Sequence, residues 1–128
     1  NKDYLIMAAA VSDFIPEFKK GKIKKNEHLK GLNLHLRLNE DLLKNLNFKG
    51  KKIGFKMEFD AQNALENAKK SLNDKKLDMV CLNILEEENY FGSSKNEIHF
   101  ITVNKIEKSG LKSKEDLAFD LVSWCEKI

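Results

Sequence analysis

The sequence has little of what builds disulfide frameworks and metal centres. Its 128 residues include two cysteines and three histidines. Cys81 and Cys125 stand far apart without metal-ligand spacing, and read as buried thiols in a reducing cytoplasm, the expected location. His28, His35 and His99 form no ligand cluster in sequence, which argues against a structural metal. No stretch approaches the roughly 18–20 consecutive apolar residues of a membrane helix, and no secretory pattern is visible. Pro16 is the only proline, and there is no linker, repeat or low-complexity tract. Neither G-x-G-x-x-G nor G-x-x-x-x-G-K-[ST] occurs, so a nucleotide bound here would lack the usual phosphate loop.

What is present is a globular composition. Apolar residues make up 41%, and the length suits a single domain, residues 1–128, around one core. Twenty-three basic and 20 acidic side chains give a net charge of +3, compatible with phosphate ligands. Aromatics are not interleaved with the lysines as stacking platforms for nucleic acid would require. The partners expected are therefore small molecules, with no nucleic acid and no membrane. The chain begins at Asn1 and opens directly on a strand pattern, from which a piece of a longer protein is expected.

That opening organises the rest. Residues 5–11 are apolar or small without alternation, as in a strand buried on both faces of a parallel sheet. Ala8, Ala9 and Ala10 put almost no side chain beside the backbone, and Ser12-Asp13 ends the run. Ligands of open α/β sheets sit outside the carboxyl ends of strands. Residues 8–13 thus read either as a small-residue floor rimmed by one carboxylate, or as a strand packed tightly on a helix with Asp13 capping a turn.

Pro16 predicts a turn. Lys19, Lys20, Lys22, Lys24 and Lys25 then cluster around Gly21 and Ile23. This is either a solvated face or a mobile loop, anchored by Ile23, that closes over a polyphosphate with ammonium point charges. Leu32, Leu34, Leu36 and Leu38 alternate with polar residues, predicting a strand that pairs with the lysine segment as a hairpin across residues 26–31. Asn39 is placed to cap a helix reaching about Leu46. A strand over 51–59, a helix capped by Asp60 with Ala61, Ala64, Leu65, Ala68 and Leu72 on one face, and a strand over 77–84 follow. Asn83 there is either a turn former or a ligand group. A loop over 86–94, a strand over 98–103, and a helix from the Ser113 capping box carrying Leu117, Leu121, Trp124, Cys125 and Ile128 complete the chain. Trp124 reads as core. The alternation predicts an α/β fold: a three-layer, Rossmann-like, mostly parallel sheet with an inserted β-hairpin.

Six short stretches occur in an order that resembles bacterial phosphopantothenoylcysteine synthetase, the C-terminal half of the bifunctional coenzyme A biosynthesis flavoprotein. They are Ala9-Ala10-Val11-Ser12-Asp13, Lys22-Ile23-Lys24-Lys25, Asn39-Glu40-Asp41-Leu42, Gly54-Phe55-Lys56-Met57-Glu58, the strand from Asp78 to Asn83, and Phe91-Gly92-Ser93-Ser94-Lys95-Asn96. The resemblance implies a CTP-dependent ligase joining 4′-phosphopantothenate to cysteine through an acyl-cytidylate, with Mg2+, and with FMN only in the decarboxylase part of the parent protein. It also implies a homodimer that covers the leucine hairpin; the alternative is that these leucines pack on the domain's own helices.

The same resemblance assigns Ala9, Ala10 and Asp13 to the cytidine, Lys22 to catalysis and nucleotide, and Glu40, Asp41, Leu42 and Leu43 to a helix N-terminus beside the nucleotide. Phe55 would pack on the nucleotide and Lys75 would add a cation. Lys24, Lys25, Asn83 and Asn96 would support the substrate. This sequence departs from the family at Glu40, where the family has proline, at Ser71, where it has a lysine for which Lys70 is the candidate substitute, and at Ile84, where it has aspartate. The family's N-terminal portion, with a Gly-rich loop and a His-Ser-Ser-Gly segment, has no counterpart among these residues. The isolated chain is therefore expected to be an inactive C-terminal portion of the synthetase domain. The alternative is a non-catalytic nucleotide-binding α/β module.

Overall fold

The computed structural model describes residues 3–28, 30–85, 90 and 92–128. In chain order the elements are β1 (Tyr4–Met7), β2 (Phe14–Pro16), a 3-10 turn (Lys25–Glu27), β3 (Leu36–Leu38), α1 (Leu42–Asn45), β4 (Lys51–Glu58), α2 (Ala61–Asp74), β5 (Met79–Ile84), β6 (Lys95–Asn96), β7 (His99–Ile101), β8 (Ile106–Lys108), β9 (Lys112–Ser113) and α3 (Lys114–Cys125). They form two compact units, one of Asn1–Ala8 with Leu43–Ile128, the other of Ala9–Leu42.

The first unit is the predicted three-layer α/β structure. Its five-stranded sheet has the order β1-β4-β5-β7-β8, with β1, β4 and β5 parallel and β7 and β8 antiparallel. Successive side chains of a strand point to opposite faces, and here each face acquires its own core. Ile53, Met79, Cys81 and Phe100 pack with Leu117, Trp124 and Cys125 from α3. Val80, Leu82 and Ile101 pack with Ala64, Ala68 and Leu72 from α2. Trp124 stacks on Phe100 with ring centroids 5.8 Å apart, a core role as expected.

Both long helices start at the predicted caps. Asp60 accepts from the Asn63 side chain at 2.7 Å and the Gln62 N–H at 2.9 Å, and these bonds hold its carboxyl below the usual carboxylate range. Ser113 accepts from the Asp116 N–H at 3.1 Å. Two expected core positions of α2 lie outside the core: Ala61 is exposed, and so is Leu65. Ala64 and Ala68 face the sheet instead, and their small side chains let the helix approach closely.

Three larger expectations about the elements are overturned as well. The first strand is not buried on both faces. β1 ends at Met7, alternates exposed with half-buried positions, and forms one edge of the sheet. Residues 8–11 are exposed and lie outside any strand, because three alanines carry too little apolar area to hold one.

The lysine segment does not pair with the leucine segment. In the second unit β3 pairs antiparallel with β2, in register Phe14↔Leu38, Ile15↔Arg37 and Pro16↔Leu36. Pro16 is thus in a strand, not a turn. Its missing N–H is tolerated because a two-stranded ladder leaves one side of each strand unpaired. Leu32 and Leu34 fall outside the strand.

Third, the helix after Asn39 is a single turn, α1, instead of running to Leu46. The 98–103 strand stops at Ile101, where Thr102 closes a turn onto Lys105. β8 and the short β6–β9 pair were not predicted.

The first rung of the β1–β4 pairing depends on Gly50. The Lys51 N–H donates to the Asp3 carbonyl at 2.8 Å. A Cβ on Gly50 would meet that carbonyl head-on and the Phe48 ring at 2.7 Å, whereas a Cβ on Gly54 would meet only the end of the Leu77 side chain, at 2.8 Å. Backbone yields less readily than a side-chain tip. Gly50→Ala is therefore expected to cost about 2 kcal/mol in urea denaturation, and Gly54→Ala distinctly less. Equal losses would show that the Asp3 contact does not limit this corner.

Candidate functional site

Each unit arranges its share of the candidate residues separately. In the first unit the carboxyl halves of the parallel strands come first. The register Phe55↔Cys81 and Met57↔Asn83 puts Phe55, Met57 and Asn83 on one face. Further along the sheet α3 covers that face, but here Phe55 and Met57 are each 45% exposed, and Ile6 on β1 is 43% exposed. The result is an apolar shelf with the half-buried Asn83 at its rim, suited to the flat side of a ring.

Leu43 and Lys75 gather elsewhere, around Lys52. Its ammonium donates to the Leu43 carbonyl at 3.3 Å and the Lys75 carbonyl at 2.9 Å. Lys75 caps the C-terminus of α2, at the amino end of β5 and on the opposite face from Phe55. The geometry therefore groups Lys75 with Leu43 and not with the shelf. Asn96 pairs with Lys112 between β6 and β9, and its Oδ1 is buried without a hydrogen-bond donor. A buried acceptor left open is one that a ligand or a water can complete. The same holds for Nδ1 of the buried His99, whose Nε2 lies 3.2 Å from Glu97 Oε1. Residues 86–89 and Phe91 of the predicted loop lie outside the described residues.

In the second unit Asn39 joins two candidate segments. Its side-chain amide donates to the Ser12 carbonyl at 2.9 Å and its backbone N–H to the Asp13 carbonyl at 2.7 Å. Its Oδ1 accepts from the Glu40 N–H at 3.0 Å. An N-cap side chain bonds the second or third N–H of its helix. Asn39 bonds the very next one, so it is a clasp between residues 12–13 and 40, not the cap expected. Ala9, Ala10, Asp13, Glu40 and Leu42 are exposed beside it, and Asp41 is half-buried.

Lys22 and Lys24 lie in a loop with no strand to sort them onto sides, and Lys25 opens the 3-10 turn. Gly21 takes φ 100°, open to glycine and strained for other residues. Ile23, expected as an anchor, is itself 46% exposed. Lys22 is exposed with no polar partner among the described residues.

Sequence reasoning missed Lys52 and the clasp role of Asn39. A signal for Lys52 existed. Strand period two puts it on the same face as Gly54, which is inward.

Other chemistries are not built here. Among the described residues no group of three or more His, Cys, Asp or Glu could hold a metal ion, and no helix is long and apolar enough to cross a membrane. A groove of about 530 Å³ opens at the amino end of β4 and β5, lined in part by Lys51, Asp78, Lys105 and Trp124. It lies away from the shelf and contains none of the candidate residues.

Over residues 1–128 the chain matches the family described as the DNA/pantothenate metabolism flavoprotein C-terminal domain. The chain belongs to that family. It is 36% identical over 132 residues to the coenzyme A biosynthesis bifunctional protein CoaBC of Methanocaldococcus jannaschii, covering 98% of this chain and 31% of the relative. It is 37% identical over 127 residues to a cysteine/cysteine sulfinic acid decarboxylase of an unknown prokaryotic organism, covering 94% and 34%. The chain thus spans about a third of the length of these relatives.

Two solved structures share the family fold. The crystal structure of the C-terminal domain of a CoaBC protein superposes with a TM-score of 0.71 at 22% identity, covering 99% of this chain and 55% of that one. A Cab2 mutant in complex with phosphopantothenate-cysteine superposes with a TM-score of 0.67 at 23% identity, covering 94% and 43%.

The family domain also holds two thiols, and neither is built as a nucleophile. Burial, with a smaller contribution from Cys125, pushes the Cys81 thiol up to about 12, and burial raises Cys125 as well. The folded state therefore keeps a proton that the unfolded state gives up above its ordinary value of about 9. Stability should be full below that value and fall as pH rises toward 12. At pH 8 both thiols should resist iodoacetamide in the native protein and react fully in denaturant. Rapid native alkylation of Cys81 would contradict the buried geometry.

Proposed function

We propose that this chain is the C-terminal portion of a CTP-dependent phosphopantothenate–cysteine ligase domain. The observation that carries this reading is family membership across all 128 residues, with a CoaBC protein among the relatives. The fold likeness to a protein bound to phosphopantothenate-cysteine supports the same substrates.

In the first step the phosphopantothenate carboxylate attacks the α-phosphorus of CTP, and pyrophosphate leaves. In the second the cysteine amine attacks the acyl carbon, CMP leaves, and the amine gives up a proton. The first step brings a carboxylate to a triphosphate, so fixed positive charge must offset the repulsion.

Lys22 is assigned to the phosphoryl oxygens, where its attraction grows as charge develops. Ala9 and Ala10 give the cytosine edge access to backbone groups, and Asp13 adds a carboxylate there. Glu40, Asp41, Leu42 and Leu43 line the nucleotide with Lys75 as a cation beside Leu43, and Phe55, on the opposite face of the sheet, packs on it only if the Lys75 assignment fails. Lys24, Lys25, Asn83 and the open acceptor of Asn96 serve the substrate. Magnesium would arrive with the triphosphate as its counter-ion and help to neutralise it. The described residues form no cluster of their own to hold it.

The test uses the intact parent protein with phosphopantothenate and cysteine. CTP should support turnover and ATP should not, and the isolated 128 residues should show almost none. Lys22→Gln should lower the maximal rate about a hundredfold with a smaller change in CTP affinity, and Lys19→Gln should do far less. CTP binding without turnover by the parent would favour a nucleotide-binding module. Equal small losses in both variants would make the lysine run a general basic patch.

The reading includes a homodimer. Phe14 is 58%, Leu34 57%, Leu36 49% and Leu38 70% exposed, a run of apolar side chains that a second copy would cover. Sedimentation equilibrium of the parent should show a dimer that Leu38→Asp dissociates. A monomer at high concentration would reject this.

A further inference from the structure

Lys52 is a buried lysine with an unusual set of partners. It is 8% exposed, and it forms no ion pair among the described residues. Its ammonium rests instead on two backbone carbonyls, Leu43 O at 3.3 Å and Lys75 O at 2.9 Å. Both are carbonyls that helix geometry leaves open. Lys75 is the C-cap of α2, where the last carbonyls lack intrahelical donors and the helix dipole presents partial negative charge. Leu43 belongs to α1, a single turn whose carbonyls are all end carbonyls. Lys76 follows with φ 51°, a left-handed residue that turns the chain away from the helix axis.

The Lys52 backbone is pinned as well. Its N–H donates to Asp78 Oδ2 at 2.8 Å, and its carbonyl accepts from the Asp78 N–H at 2.8 Å. The amine therefore projects from a fixed stem. It spans nine residues to Leu43 and 23 residues to Lys75. An apolar side chain of the same length would leave two buried carbonyls without donors.

We propose that Lys52 is a positioning residue for the nucleotide. Its ammonium sets the spacing between the Leu43 segment and Lys75 without touching the ligand. The proposal rests on the assignment of Leu43 and Lys75 to the nucleotide.

The test compares Lys52→Met, Lys52→Arg and Lys75→Gln in the intact parent, by steady-state kinetics and thermal melting. Lys52→Met should raise the KM for CTP about tenfold, with the KM for cysteine unchanged and kcat changed less than the KM for CTP. Lys52→Arg, which restores donors and charge, should recover most of the CTP affinity. If Lys52→Met does not fold, Lys52→Gln, whose amide still donates, is read in its place and should show a smaller rise.

A lowered melting temperature with the KM for CTP unchanged, while Lys75→Gln raises it, would overturn the positioning role and leave the nucleotide assignment standing. An unchanged KM for CTP in both Lys52→Met and Lys75→Gln would overturn the Lys75 assignment and the proposal with it. A parent with no CTP-dependent turnover would refute the functional reading itself.

Discussion

Asp78 locks the central strand pair on which the first unit depends. One carboxylate oxygen accepts from the Lys52 N–H, the other from the Lys51 ammonium at 3.0 Å, and the Asp78 N–H returns a bond to the Lys52 carbonyl. The Lys51–Asp78 pair is partly exposed, so its Coulomb energy amounts to a few tenths of a kcal/mol. Its geometric effect is larger. It starts β4 and β5 in one register, and a slip of β5 by one residue would send Met79 and Cys81 to the α2 face and Val80 and Leu82 to the α3 face. The two cores, the shelf around Phe55 and the Lys52 cluster all follow from that register.

Strands buried on two faces leave a clear trace in sequence, and this is why the sheet and both long helices were legible. Residues 79–82 are fully buried and continuously apolar, and Ala64, Ala68 and Leu72 recur at helical spacing beneath Asp60. The second unit left a weaker trace. Four alternating leucines announce a strand without naming its partner. The lysine run lay nearer in sequence, and Pro16 spoke against a strand at residues 14–16. What decides the pairing is a two-stranded ladder that has a side free for a proline. β8 is three residues long with every position exposed, too short for any period to show.

The candidate site was legible where a motif sits on a regular element. Phe55 and Asn83 share a face because alternation and register put them there. It was not legible where the decisive partner is distant. Asn39 reads as a helix cap from its neighbours, yet the Ser12 carbonyl that fixes its role is 27 residues away. Strand alternation puts Lys52 on the Gly54 face, but no local residue names the acceptors of its ammonium. Only the converging ends of α1 and α2 make a buried ammonium tenable at that position. Lys75 was assigned through the resemblance alone, which does not say on which face of a sheet a helix end emerges.

The choice of acceptors for Lys52 bears on the electrostatics of the whole unit. Burying an ammonium costs several kcal/mol unless good partners replace its water. A carboxylate would be the stronger partner, but it would also cancel the charge. Two carbonyls, one at the negative end of a 14-residue helix, hold the ammonium while leaving its charge uncompensated by any ion pair among the described residues. Structural fastening and positive potential are thereby supplied by one side chain. For a domain without a glycine-rich phosphate loop among these residues, that combination matters. A polyanion of the proposed kind would feel that buried charge with less screening by salt than it feels a solvated lysine.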